Sequence, residues 1–327
     1  MSECAMGYAE RFLSLRPGSF PFNSRFVNIG DARLHLIDEG EGPVLFMLHG
    51  NPTWSYLYRH LIRELRQDYR CIALDLAGFG LSRPPDGFSF KARDHVRLVS
   101  EVLRVLDIRQ ATLIAHDWGG PIGIAAMGAT QDRISRLCLG NTWAWRVNGD
   151  FHFEWFSKLL GGALGRWAAY RFAVFVNLLM PTTMKRHKLT EEEMAAYRAP
   201  FTNRAHRTPM HVFPAEITNA GAWLDTVESI AASFKGPVQF IWPSNDIAFR
   251  VKELDRWLEM FPEAYVKRID RCGHYLWEDA PEECVDALRR FLTLTHSTSW
   301  RSLGKVANEA RGEHLDTNQG QGCSELK

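Results

Sequence analysis

A carboxylate lies at the centre of a turn that could support nucleophilic chemistry. Residues 115–119 (AHDWG) follow a short apolar run and precede a helix-like stretch that starts near Ile122. This is the strand, turn and helix context of the G-x-S-x-G motif, with Asp117 in place of the serine. Aspartate is already anionic at neutral pH, so it can attack saturated carbon without activation by a base. The product would be an ester on Asp117, which a base-activated water must hydrolyse.

A base and an orienting acid are predicted on loops after two later strands. His274 follows the last predicted strand and is the only one of the twelve histidines in that position. Asp246 follows the strand before it, so the chain order is nucleophile, acid, histidine, as in α/β-hydrolases. A second slot for the acid lies after an earlier strand, but Asn141 and Thr142 there are not carboxylates. Asp246 is therefore the predicted acid.

Two turns could supply hydrogen-bond donors to developing negative charge. Asn51, in the segment His-Gly-Asn-Pro, follows the apolar run 44–48. The backbone N–H groups of Asn51 and Trp118 can form an oxyanion hole, and their side-chain N–H groups suit a leaving halide. Each residue alone has a structural explanation, such as helix capping by Asp117 or packing by Trp118. Their joint order, each after an apolar run, favours catalysis.

These residues require a parallel sheet to bring them to one edge. Short apolar runs predict buried strands at 44–48, 71–74, 111–115, 137–139, 238–242 and 265–269, after a hairpin formed by 25–28 and 33–38. Helices are predicted at 55–66, 93–106, 122–129, 251–261 and 281–292. The pattern predicts an α/β-hydrolase fold, a mostly parallel sheet with helices on both faces.

The alternation of strands and helices stops after the fourth buried strand. Residues 22–142 and 214–294 form the predicted core domain, and residues 143–213 form a predicted helical cap over the strand ends that bind ligands in such sheets. We expect the cap aromatics to be mostly core, with about a third lining a pocket; they are Phe151, Phe153, Trp155, Phe156, Trp167, Phe172 and Phe175. Residues 295–327 are polar and predict a disordered tail.

The composition and net charge of the chain argue against nucleic acid and membranes as partners. The 327 residues are 46% hydrophobic and 24% charged, with a net charge of +1, which gives no electrostatic case for nucleic acid or an acidic membrane surface. No apolar stretch has the length of a membrane span. The six cysteines lack metal-binding spacing, and the N-terminus lacks a signal-peptide pattern, so we expect a cytoplasmic protein. The oligomeric state stays open, a homo-oligomer included.

At this point the chain resembles the haloalkane dehalogenases among the α/β-hydrolases. The resemblance runs from about residue 22 to residue 292 and is most specific at residues 49–59, 75–82, 116–121 and 273–281. The chain looks like the third subfamily, which also contains β-lactone decarboxylases of olefin biosynthesis. The resemblance implies Asp117 as nucleophile, His274 as base, Asp246 as acid, and Asn51 with Trp118 as the halide-binding pair. It implies no metal or organic cofactor, and as partners a small apolar halogenated substrate, halide and water.

The sequence therefore predicts hydrolysis of a carbon–halogen bond to a primary alcohol and halide. A β-lactone decarboxylase would use the same residues on another substrate. An epoxide hydrolase would need cap tyrosines, for which Tyr170 and Tyr197 are candidates. A fluoroacetate-type dehalogenase would need arginines after the nucleophile, where residues 118–120 have none. A non-catalytic receptor on the same fold is the alternative from a different class.

Overall fold

An eight-stranded sheet forms the centre of the computed structural model, which describes residue 18 and residues 20–295. The strands are β1 (Ser24–Ile29), β2 (Ala32–Glu39), β3 (Val44–Leu48), β4 (Arg70–Leu74), β5 (Ala111–His116), β6 (Ile134–Gly140), β7 (Val238–Pro243) and β8 (Tyr265–Ile269). They lie in the order β1-β2-β4-β3-β5-β6-β7-β8. Only the pairs β1/β2 and β2/β4 are antiparallel. The predicted α/β-hydrolase fold is confirmed.

Helices cover the sheet because its central strands are apolar on both faces. Every residue of β5 is buried, as is every residue of β7. The core helices are α1 (Arg59–Leu65), α2 (Ala92–Val105), α3 (Gly119–Ala129), α10 (Val251–Met260), α11 (Leu276–Asp279) and α12 (Pro281–Leu294). The small residues of α3 let it pack closely on the sheet between its neighbours. This places the N-terminus of α3 directly after the end of β5.

The insertion between β6 and β7 is helical throughout its regular structure. It comprises α4 (Phe151–Gly161), α5 (Ala163–Phe172), a π-helical turn (Phe175–Leu179), α6 (Met180–Thr183), α7 (Glu191–Arg198), α8 (Thr208–Asn219) and α9 (Gly221–Ser233). The sequence places the end of the cap at residue 213, and α8 crosses that position without a break.

Of the predicted tail, only Thr295 is described, and it is buried. No helix among the described residues could cross a bilayer.

A buried ionic cluster joins the cap to the core. Arg59 of α1 donates from both terminal nitrogens to the Glu278 carboxylate, each at 2.5 Å, and also to Glu193 of α7 at 2.8 Å. The Tyr197 hydroxyl of α7 donates to Glu278 at 2.5 Å. Burial alone would raise the pKa of Glu278, but Arg59 and its other partners lower it to about 2. The cluster fixes α7 over α11, which follows His274 directly.

Glu278→Ala should destabilise the protein by about 3–5 kcal/mol, because it leaves the Arg59 guanidinium buried without its main partner. Thermal and denaturant unfolding would measure the change. Glu263→Ala, at an exposed carboxylate in a turn, is the matched control. Equal unfolding midpoints for the two variants would show that the cluster contributes nothing to stability.

Candidate active site

The nucleophile candidate occupies a tight turn between β5 and α3. Asp117 has φ of 50°, a left-handed conformation that costs a non-glycine residue about 1–2 kcal/mol. Its backbone N–H donates to the Asn141 carbonyl at 3.0 Å, and the Thr142 hydroxyl donates to its carbonyl at 2.6 Å. The residues that follow β6 therefore hold the strained turn in place.

Two glycines let neighbouring backbone approach this turn. A Cβ at Gly119 would collide with the Leu48 carbonyl at the end of β3. A Cβ at Gly50 would collide with the Asp117 carboxylate itself. Both positions therefore require glycine for close contact. The result is that the loop after β3 lies directly against the carboxylate.

Two backbone N–H groups donate hydrogen bonds to the Asp117 carboxylate. The Asn51 N–H donates to Oδ1 at 2.7 Å, and the Trp118 N–H also bonds to this carboxylate. Burial raises the pKa of Asp117, and His274 with the two N–H donors offsets this only in part. The structure thus brings together both predicted backbone donors and the predicted nucleophile. The same donors could hold an oxyanion formed from an ester at Asp117.

His274 lies beside the nucleophile but outside direct hydrogen-bond distance. Its Nε2 is 3.9 Å from Asp117 Oδ2, and its Nδ1 is 2.9 Å from Asp246 Oδ2. Burial acts to lower the pKa of His274, but Asp246 and Asp117 outweigh it and raise the pKa above the ordinary value. The separation from Asp117 suits a base that acts on water near the ester carbonyl rather than on the nucleophile.

Asn141 is a site residue that the sequence reasoning missed. Its side-chain amide donates to Asp246 Oδ2 at 2.6 Å and to the His274 carbonyl at 2.9 Å. The Ala248 N–H donates to the other Asp246 oxygen at 2.7 Å. Asn141 lies after β6, at the second position considered for the acid. The sequence shows that position, but it does not show that the Asn141 amide contacts Asp246. In the fold it positions both the acid and the base.

A small apolar cavity of about 70 Å³ lies above Asp117 and under the cap. The core side contributes Asn51, Asp117, Trp118, Ile247, Ala248, Phe249, His274 and Tyr275. The insertion contributes Trp143, His152, Phe153, Phe156, Phe175, Leu179, Thr183, Pro214 and Ile217. At roughly 10–15 Å³ for each water-sized group, the cavity accommodates about five such groups. Its lining suits a short apolar substrate.

The cap aromatics divide differently from the expectation. Three of the seven, Phe153, Phe156 and Phe175, line the cavity, which is somewhat more than the expected third. The expectation that the others are core is wrong: Phe151, Trp155, Trp167 and Phe172 are between 50% and 81% exposed. Periodicity in an amphipathic helix shows which side chains share a face, but not whether another element covers that face.

The two predicted halide donors both line the cavity. The Trp118 ring is stacked against Phe213 at 5.1 Å and meets Trp143 edge-on at 4.6 Å, which fixes the indole. No acceptor among the described residues receives its indole N–H. The Asn51 amide nitrogen has only a long contact of 3.4 Å to the Met210 carbonyl. The Trp118 indole N–H therefore lacks a protein acceptor in the described part of the chain, whereas the Asn51 amide donates weakly to Met210 and its Oδ1 has no partner there.

The tyrosines required by the epoxide alternative lie outside the cavity. Tyr170 is 48% exposed on the outer surface of the cap, and the Tyr197 hydroxyl is bound to Glu278.

In the described part of the chain, one group of side chains has metal-ligand spacing: His60, Glu193 and Glu278. Arg59 already neutralises both of these carboxylates. We therefore assign this group to the cap–core cluster.

Known proteins resemble this chain over most of its length. Residues 43–281 match the family described as alpha/beta hydrolase fold. Haloalkane dehalogenase 2 of Mycobacterium tuberculosis is 34% identical over 275 residues, which cover 83% of this chain and 96% of that protein. The cis-3-alkyl-4-alkyloxetan-2-one decarboxylase of Shewanella oneidensis is 32% identical over 297 residues, covering 85% and 90%. The crystal structure of a putative ancestral haloalkane dehalogenase aligns with a TM-score of 0.76 at 28% identity, covering 82% and 98%.

Asp246→Asn should slow hydrolysis of an ester on Asp117 by roughly 10⁴-fold, the loss seen when the acid of a serine triad is replaced by its amide. Because Asp246 raises the pKa of His274, the substitution should also lower that pKa. His274 can accept a proton only when it is neutral, so the acidic limb of the hydrolysis rate should move to lower pH. Pre-steady-state rates across pH would measure both effects. Asp255→Asn, on the exposed side of α10, is the control; an unchanged pH limb would contradict the pairing.

Proposed function

We propose that this chain, which belongs to the alpha/beta hydrolase fold family, hydrolyses carbon–halogen bonds of small haloalkanes. Its homologues include both haloalkane dehalogenases and oxetanone decarboxylases. One observation carries the proposal. A buried carboxylate, Asp117, borders an apolar cavity that is also lined by Asn51 and by Trp118, whose indole N–H has no acceptor among the described residues. Carbon–halogen hydrolysis needs this combination of an anionic nucleophile and donors for a leaving anion.

The first step forms an ester. An Asp117 oxygen attacks the halogen-bearing carbon in line, the new C–O bond forms, and the C–X bond breaks. The halide leaves with the bonding electron pair and accepts hydrogen bonds from the Trp118 indole and the Asn51 amide. The apolar lining excludes bulk water, which strengthens these bonds relative to solution.

The second step hydrolyses the ester. His274 takes a proton from water, and the oxygen of that water attacks the ester carbonyl carbon of Asp117. The backbone N–H groups of Asn51 and Trp118 stabilise the oxyanion. Its collapse releases the alcohol, which receives the proton from His274, and restores the carboxylate. Asp246 stabilises the His274 cation between these transfers.

A β-lactone decarboxylase is the second candidate, supported by the Shewanella oneidensis relative. It would use the same nucleophile and base on a four-membered lactone. The cavity of about 70 Å³ favours a short haloalkane over a lactone with two long alkyl chains. Parallel assays of halide release and of alkene formation separate the two activities. Alkene formation without halide release would replace the proposed function.

His274→Phe should accumulate the ester, because alkylation needs only the carboxylate and hydrolysis needs the base. Incubation with a bromoalkane should give one added alkyl group per chain by intact mass, located on Asp117 by peptide mapping. The Asp117→Ala variant should gain no such mass. A folded His274→Phe protein that stays unmodified would exclude the ester mechanism.

Trp118→Phe and Asn51→Ala should each slow alkylation, and chloroalkanes should suffer more than iodoalkanes. Each change removes one donor to the leaving group, and such donors contribute about 2.7–4 kcal/mol in oxyanion sites. Chloride is the poorer leaving group and depends more on them. Stopped-flow alkylation rates would measure the effect. Trp145→Phe removes a buried indole that packs on Trp257 outside the cavity and is the control. Equal rates of alkylation by chloroalkanes in all three variants would show that Asn51 and Trp118 have only a structural role.

A further inference from the structure

Eight large apolar side chains are exposed on one stretch of the cap. They lie within residues 151–178, have exposed fractions from 43% to 81%, and are called here the apolar cap face: Phe151, Trp155, Leu159, Leu164, Trp167, Tyr170, Phe172 and Leu178. Only four other large hydrophobic residues of the described chain are comparably exposed. Such a concentration is typical of an interaction surface.

Within this group, the side chains on α4 share one side of the helix, and two of those on α5 are in contact. Phe151, Trp155 and Leu159 are spaced by four residues along α4, while Phe153 and Ser157 on its other side are buried. On α5, Trp167 meets Phe172 edge-on at 5.2 Å.

Unneutralised arginines border the apolar cap face. They are Arg166, Arg171, Arg204 and Arg207, called here the arginine cluster, and no carboxylate in the described part of the chain pairs with any of them. The Arg171 guanidinium lies 5.2 Å from the Phe172 ring centre, and Arg207 donates to the Tyr170 carbonyl at 2.9 Å. Burial and the nearby charges of Arg204 and Arg171 lower the pKa of Arg207. The cations therefore repel one another without internal compensation.

The charge of the chain is unevenly distributed. Residues 143–213 contain ten Lys and Arg against five Asp and Glu, although the whole chain has a net charge of only +1. The sequence expectation of no attraction to an acidic membrane rests on that total. That net charge is the sum of a basic cap and an acidic remainder of the chain. A charged surface interacts mainly with the charges that lie within about a Debye length of it.

We propose that the apolar cap face docks onto an anionic lipid surface. Aromatic and aliphatic side chains can insert at the level of the headgroups, while the arginine cluster contacts lipid phosphates. A second copy of the chain is a poorer occupant, because two-fold pairing of this face would bring two arginine clusters together. This inference concerns the outer surface of the cap and does not rest on the proposed reaction.

Docking would place the cavity close to the lipid. Three residues of the apolar cap face, Phe151, Trp155 and Leu178, directly precede cavity-lining residues in the chain. Ile247, at the cavity, is 53% exposed and marks an opening to the surface. Apolar substrates partition into bilayers, so this arrangement would let them enter the cavity from the lipid.

Vesicle flotation of the full chain tests the proposal. The protein should float with vesicles of equal parts phosphatidylcholine and phosphatidylglycerol, much less with phosphatidylcholine alone, and less at high salt. The double variants Trp155→Ser/Trp167→Ser and Arg166→Glu/Arg171→Glu should each lose more than about tenfold in lipid partitioning. Val105→Ser and Arg97→Glu, at exposed positions of α2 on the core, are the matched controls.

Three results would overturn the docking proposal. One is failure of the parent protein to float with anionic vesicles. Another is equal flotation of the cap and core variants when circular dichroism shows all of them folded. The third is dimerisation in analytical ultracentrifugation that Trp155→Ser/Trp167→Ser abolishes, without lipid binding by the parent, which would assign the face to a second copy. Halide release from a water-soluble haloalkane should stay unchanged in both cap variants, so a failed docking test leaves the proposed reaction intact.

Discussion

The buried carboxylate of Asp117 is the constraint on which the site depends, because an anion removed from water must be compensated by fixed donors or by a cation. The compensation here comes from two backbone N–H groups and from His274. The Trp118 N–H adjoins Asp117 in the chain, but the Asn51 N–H and His274 come from distant segments. The parallel sheet brings the loops after β3, β5 and β8 to one edge, and the close contact at Gly50 completes the arrangement.

The electrostatic interaction between Asp117 and His274 changes during the proposed cycle. In the free protein two carboxylates raise the pKa of His274, which favours its cation. Esterification of Asp117 removes one of those charges, so the pKa of His274 falls when a neutral base is needed. Asp246 remains as a second charge, held by Asn141, and stabilises the cation once a proton has been taken. Esterification of Asp117 therefore increases the fraction of His274 that is neutral at the step that needs a base.

The cap contributes to the site in two separate ways. Its inner residues close the cavity, and the Arg59–Glu278 cluster fixes its position on the core. Because α11 carries Glu278 and follows His274, the attachment of the cap and the position of the base depend on the same short segment. The aromatic side chains on the outer side of the cap are not covered by any described element, and an anionic lipid surface is the partner proposed for them.

The sequence by itself determined the order of the elements and the residue types at their ends. Apolar runs and turn residues are local signals, so they predicted the strands, the insertion and the positions of Asp117, Asp246 and His274. Tertiary structure alone decided the contacts between distant segments, such as Asn141 with Asp246, 105 residues apart. It also decided which cap aromatics line the cavity and which face outward. A helix pattern defines a face by periodicity, but only packing between elements determines what covers that face.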